Sequence, residues 1–231
     1  MANLVAACLT FLAIHLLVSG TRVRDAIVAR TGEGPYTGLF ALASLAAIVW
    51  MCIAFNRADA SADNRVLFDA GQGLRDCGII LVFLAFILVV PGVTRTNPTS
   101  AGQGGAGIDG VLRITRHPFL CGVMIWSAFH LIASGTLASV IFFATFLTVA
   151  EAGTRAIDGK VRRKRPEEWK TISAQTSIVP FAAIAAGRNR FAAREYFDWR
   201  FSLAVVLYAA FLCFHNWMFS VSPFPNGWRP G

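Results

Sequence analysis

Six stretches of this chain are apolar enough, and long or nearly long enough, to be driven out of water. No other feature limits the fold as severely. A helix rises roughly 1.5 Å per residue, so about 20 mostly apolar residues cross the hydrocarbon core of a bilayer. On that ruler the sequence predicts helices over about 3–19, 38–55, 77–93, 118–135, 137–152 and 201–220. The fourth and fifth share a very short turn at Ser134-Gly135 and form a hairpin, and the fifth is the shortest of the six. Composition agrees: 55% of the 231 residues are hydrophobic, 15% are charged and mean hydropathy is +0.57. Soluble domains rarely reach that balance. The expected fold is all-α, a polytopic membrane helix bundle of about six transmembrane helices, read as a single domain over 1–231.

Basic residues orient such a bundle. Arg22, Arg24 and Arg30 fall between the first two spans, and Arg95, Arg113 and Arg116 between the third and fourth. The stretch before the last span carries "RRKR" at 162–165 and several more cations. The loop between spans two and three dilutes Arg57, Arg65 and Arg75 with four aspartates. These three basic loops are expected on the cytoplasmic side of a bacterial inner membrane, with both termini outside. The net charge of +8 is then a topology signal and an attraction to anionic lipid headgroups, not a nucleic-acid footprint. The first segment lacks a basic stretch before its apolar run, so a cleaved signal peptide is not expected. Cys8, Cys52, Cys77, Cys121 and Cys213 are scattered singly, which predicts neither disulfides nor a cysteine metal site.

Between the spans, "TRTNPTSAGQGGAGIDG" (94–110) reads as a flexible loop. "RPEEWKTISAQTS" suits an interfacial helix opening at Pro166, with Glu167 and Glu168 favouring its N-terminal dipole. "IVPFAAIAAG" is apolar but too short to span.

The sequence holds four histidines. His15 lies roughly 10 Å inside the boundary marked by Arg22, His130 about 18 Å into its helix from Pro118, and His215 about 21 Å from Phe201. Ionisable residues at such depth are costly and usually face the bundle interior. One of them alone is most simply a neutral imidazole bonding helices together. Three in separate spans suggest a shared task. Neutral imidazole is a common metal ligand, and a porphyrin is the cofactor best suited to apolar helices. No Glu-x-x-His or His-x-x-x-His pair occurs, which argues against zinc and di-iron sites. Depth does not settle which two histidines would pair. His117 and His130 lie about 140° apart around one helix and do not serve as twin ligands. His117 belongs instead to "R-x-x-R-H-P" (113–118), a helix mouth where Arg113 and Arg116 would attract haem propionates, a nucleotide-like cofactor or lipid phosphate. Those arginines equally suit a plain positive-inside boundary.

"TRHPFLCGVMIWSAFHLIASG" resembles the T-R-H-P-x-x-x-G…W-x-x-x-H-L-x-x-x-G signature of the NnrU family. The resemblance continues through "HLLVSGTRVRDAIVARTGEGPYTGLFALASL" (15–45), "TSIVPFAAIAAGR" (176–188) and "HNWMFSVSPFP" (215–225), nearly the whole chain in collinear order. The family is associated with denitrification and nitric oxide metabolism. It is related to the 15-cis-zeta-carotene isomerases of plants and cyanobacteria, membrane enzymes that carry haem b. What this implies is a haem b protein with His15 and His130 as iron ligands and His117 as the motif histidine. Ser127 stands where the isomerases have a cysteine implicated in iron coordination, and "FNRADA" (55–60) lacks a histidine found there.

The leading expectation is a haem-binding membrane protein with a redox or nitric-oxide-related role, or a haem-dependent isomerase of an apolar polyene. Its cofactor-binding residues would be His15, His130, Arg113, Arg116, His117 and His215, with His15 and His130 on the metal. Whether it is an enzyme stays open. An alternative is a membrane methyltransferase using S-adenosylmethionine at Arg116, His117, Glu167 and Glu168. A third is a non-catalytic assembly factor for a respiratory complex.

Overall fold

The computed structural model describes residues 1–19, 21–99, 105 and 107–224. Among them the chain is helical, with no strand beyond one isolated bridge between Val66 and Thr136. Five helices are long and apolar enough to cross a membrane: Ala2–Ser19, Glu33–Asp59, Gln72–Thr94, Leu137–Lys164 and Trp199–Phe219. A sixth apolar helix, Pro118–Ser134, has 17 residues. This is an all-α integral membrane protein. By contacts it divides into two compact units, Met1–Ala70 with His130–Ala156, and Gly71–Phe129 with Ile157–Gly231.

The first unit opens with α1 (Ala2–Leu12), which continues without a break into a π-helical turn over Ala13–Ser19. A π turn is the wider, rarer winding that usually marks a functional position. Thr21 caps α2 (Arg22–Thr31), its hydroxyl accepting from the Val23 amide. Gly32, at φ +86°, reverses the chain into α3 (Glu33–Asp59). Helix α3 starts earlier than the sequence pattern suggests because Pro35 falls in its first turn, where no donor is lost. Leu4, Ala7, Cys8 and Phe11 of α1 and Ala47, Met51 and Ala54 of α3 are buried where these two helices pack. The other faces of α3 stay apolar and exposed, as lipid-facing surfaces require. Gly135 turns the chain between the unit's last helical segments at φ +64°. A side chain there would meet the Phe68 carbonyl oxygen at 2.0 Å, so only glycine fits.

The second unit contains α4 (Gln72–Asp76), α5 (Gly78–Thr94) and α6 (Val111–Ile114). Then come α7 (Pro118–Ser134) and α8 (Leu137–Lys164), each shared with the first unit. It ends with α9 (Pro166–Gln175), α10 (Ala182–Ala185), α11 (Ala193–Tyr196) and α12 (Trp199–Phe219). Helix α12 packs along α5, and Tyr208 donates its hydroxyl to the Ile79 carbonyl at 2.7 Å. Leu88, Val111, Ile114, Cys121 and Tyr196 form a core, with Met124, Ile125 and Phe201 against it.

The expected short span at 137–152 is in fact part of the longest helix, 28 residues. Its charged end continues the winding beyond the apolar stretch, with Glu151 and Arg155 paired across one turn, until Pro166 stops it. The short member of the hairpin is α7. The expected interfacial helix after Arg165 forms as α9 with Pro166 in its first turn. The loop expected over 94–110 falls partly outside the described residues.

Candidate functional site

His15 sits in the π turn, and its Nδ1 lies 2.9 Å from the Phe11 carbonyl oxygen. A carbonyl only accepts, so Nδ1 carries the proton and Nε2 keeps a lone pair. A metal-binding histidine is commonly oriented by just this kind of bond on its other ring nitrogen. The ring is packed by Phe11, centroids 4.1 Å apart, and meets Phe40 edge-on at 5.2 Å. His130, on the part of α7 that belongs to the same unit, stacks on Phe143 at 5.1 Å. A run of rings joins the two imidazoles: Phe11 to Phe146 at 5.4 Å, Phe146 to Phe142 at 5.2 Å, and Phe142 to Phe143 at 5.2 Å. Ser127, one turn before His130, is fully buried and gives its hydroxyl to the Val123 carbonyl at 2.7 Å.

Among the described residues no three His, Cys, Asp or Glu side chains converge as a metal-holding cluster. A metal here would therefore need a group that brings most of its own ligands. The donor chemistry of His15 suits a porphyrin iron: one neutral nitrogen with its tautomer fixed, set among aromatic rings.

The Arg-His-Pro mouth is built differently. His117 is 3% exposed, and its Nε2 lies 2.8 Å from Asp158 Oδ1. Arg116 grips the same carboxylate through Nε at 3.0 Å and a terminal nitrogen at 2.6 Å, and its guanidinium lies over the Trp169 ring. Arg113 clasps Glu195 with two bonds, of 2.7 and 3.0 Å, and donates a third to Asn189. The hydrogen bonds from Arg113, with another from the Gly110 amide, hold the Glu195 carboxyl down at about 2. The same pairing raises the Arg113 guanidinium above its usual value. Asp198 is also lowered: burial opposes the charge, but bonds from the Arg200 amide and guanidinium and the nearby Arg95 outweigh it.

The structure thus brings His15 and His130 into one unit and commits Arg113, Arg116 and His117 to carboxylates in the other. His215, near the end of α12, has Nδ1 2.8 Å from the Val221 carbonyl oxygen and its ring 4.9 Å from that of Phe219. Glu167 pairs with Lys170 and Glu168 with Arg165. Sequence reasoning missed Asp158 and Glu195. The available signal for Asp158 was a lone acid in a basic helix end, "RAIDGKVRRKR".

The family model described as NnrU protein matches residues 3–223. Two chloroplastic 15-cis-zeta-carotene isomerases are also similar. The Arabidopsis thaliana enzyme is 30% identical over 80 residues and the Zea mays enzyme 31% over 81. Each match covers 35% of this chain and 22% of the isomerase, so the shared stretch is about a fifth of those enzymes. No solved structure is significantly similar.

Proposed function

The chain belongs to the NnrU family, and on that premise we propose that it is an integral membrane haem b protein with a redox or nitric-oxide-related role. His15 and His130 are the residues that would hold the iron. When bound, haem would supply a redox-active iron open to nitrogen ligands and to small gaseous or π ligands. The protein's part is to present imidazole nitrogens and exclude water. The observation that carries the reading is the His15 imidazole, locked in a π turn with Nδ1–H on the Phe11 carbonyl and Nε2 left as a donor. The phenylalanine run toward His130 supports it by offering flat aromatic packing for a large planar ligand. On this reading the basic loops face the cytoplasm from a bacterial inner membrane, as the positive-inside rule expects.

A second reading within the same site is isomerisation of an apolar polyene, favoured by the similarity to zeta-carotene isomerases. Ser127, buried and bonded to its own helix, gives that reading no spare thiol or hydroxyl. The methyltransferase reading gains no support from the geometry, since Arg116, His117 and both glutamates are paired internally.

Purification from haem-replete cells and a visible spectrum test the proposal. A Soret band in the wild type that His15→Ala and His130→Ala each abolish or shift is expected. A colourless wild type, or a band indifferent to both variants, overturns it.

A further inference from the structure

Three buried side-chain polar atoms lack a hydrogen-bond partner among the described residues: Tyr36 Oη, Ser44 Oγ and Arg95 Nε. Two of the three lie on one stripe of α3, eight residues apart with Phe40 between them. Buried hydroxyls are rarely left this way. Elsewhere in this chain Thr10, Thr37, Thr94, Ser127 and Thr145 each donate to the carbonyl four residues back. Ser44, on a spanning helix, does not.

Tyr36 is only 7% exposed. Its ring stacks on Phe40 at 6.0 Å, and Phe40 in turn meets His15 at 5.2 Å, so a single ring separates the orphaned phenol from the candidate ligand. The guanidinium of Arg24, itself 7% exposed, lies 5.2 Å from the Tyr36 ring centre. Arg24 bonds Asp25 and Glu33 through its two terminal nitrogens, using two of the five N–H groups that a guanidinium carries. A buried cation with donors to spare thus stands beside an unpartnered phenol in the first turn of α3. Deeper in the same unit lie an imidazole and a wall of phenylalanines. That order of chemistry matches a ligand with a flat apolar body and a carboxylate at its polar end.

We propose that Tyr36 and Arg24 bind a carboxylate of the ligand that His15 holds, which on the haem reading is a propionate. This rests on that reading and moves the acid-binding edge away from Arg113 and Arg116: all three arginines pair with carboxylates, but only Arg24 stands beside a buried hydroxyl without a partner among the described residues.

The test is the rate at which haem leaves the full-length, detergent-solubilised protein for excess apomyoglobin. Tyr36→Phe keeps the ring and removes only the hydroxyl. It should release haem b about tenfold faster, as expected for losing a hydrogen bond to a charged group, with the Soret position unchanged. Haem b dimethyl ester, whose carboxylates are blocked, should leave both proteins at the same rate. Equal haem b release from wild type and Tyr36→Phe overturns the inference and leaves the haem reading standing. So does an equal acceleration with the ester. A wild type that takes up no haem at all fails the haem reading itself, before any variant is compared.

Discussion

The two histidine-bearing regions differ in how completely their polar groups are partnered. At the Arg-His-Pro mouth the polar side chains are partnered: Asp158 bonds His117 and Arg116, and Glu195 bonds Arg113. Around His15 polar capacity is left unused: an Nε2 lone pair, an orphaned phenol hydroxyl, and guanidinium N–H groups on Arg24 beyond the two that bond Asp25 and Glu33. A closed set of ion pairs positions backbone; an open set of donors is what a ligand completes. In the sequence the two regions share a histidine and nearby arginines at one boundary of an apolar run, and differ in the depth of the histidine.

The largest effect that separates them is spectroscopic. Loss of the His15 or His130 imidazole should remove or shift the Soret band, whereas Asp158→Ala should leave the band in place. A band lost in Asp158→Ala at full folding would erase the distinction. Stability shows the reverse pattern. Asp158 and His117 are both largely buried, and stripping one partner leaves uncompensated charge, so Asp158→Ala should cost about 3–5 kcal/mol in thermal unfolding. Gly135→Ala should cost about 1–3 kcal/mol from its positive φ alone, and more from the collision with Phe68. It touches neither region, so the haem spectrum of the folded fraction should not change.

The smallest effect concerns Glu195, which is a third exposed, so its pairing is worth no more than about 1 kcal/mol. Its carboxyl falls from 4.5 to about 2 on folding. A depressed acid contributes stability above its unfolded value and loses it as pH falls through the folded one. The gap between wild type and Glu195→Gln should therefore be full above about pH 4.5, shrink below it and close near pH 2. A pH-independent gap would mean that Arg113 is not the cause.

Much of this was legible from apolar run lengths. Span positions, the Ser134-Gly135 turn and the helix opening at Pro166 follow from hydropathy and from proline and glycine chemistry. The end of α8 was not, because hydropathy marks where apolar character stops and helical winding runs on to Lys164. Depth marked His15, His130 and His215 alike, and only the family resemblance singled out the first two. The π turn beneath His15 leaves no compositional trace, since "AIHLLVS" is as good an ordinary helix as a wide one. Tyr36 reads as a boundary aromatic until the structure shows its hydroxyl buried without a partner. Asp158 lies 41 residues beyond His117, too far along the chain for a local pattern to pair them.

The most direct test of the central claim is the spectrum of His15→Gly with and without added imidazole. A ligand at this position predicts a displaced or missing Soret band that free imidazole restores to the wild-type position. A wild-type band in His15→Gly without imidazole would contradict it.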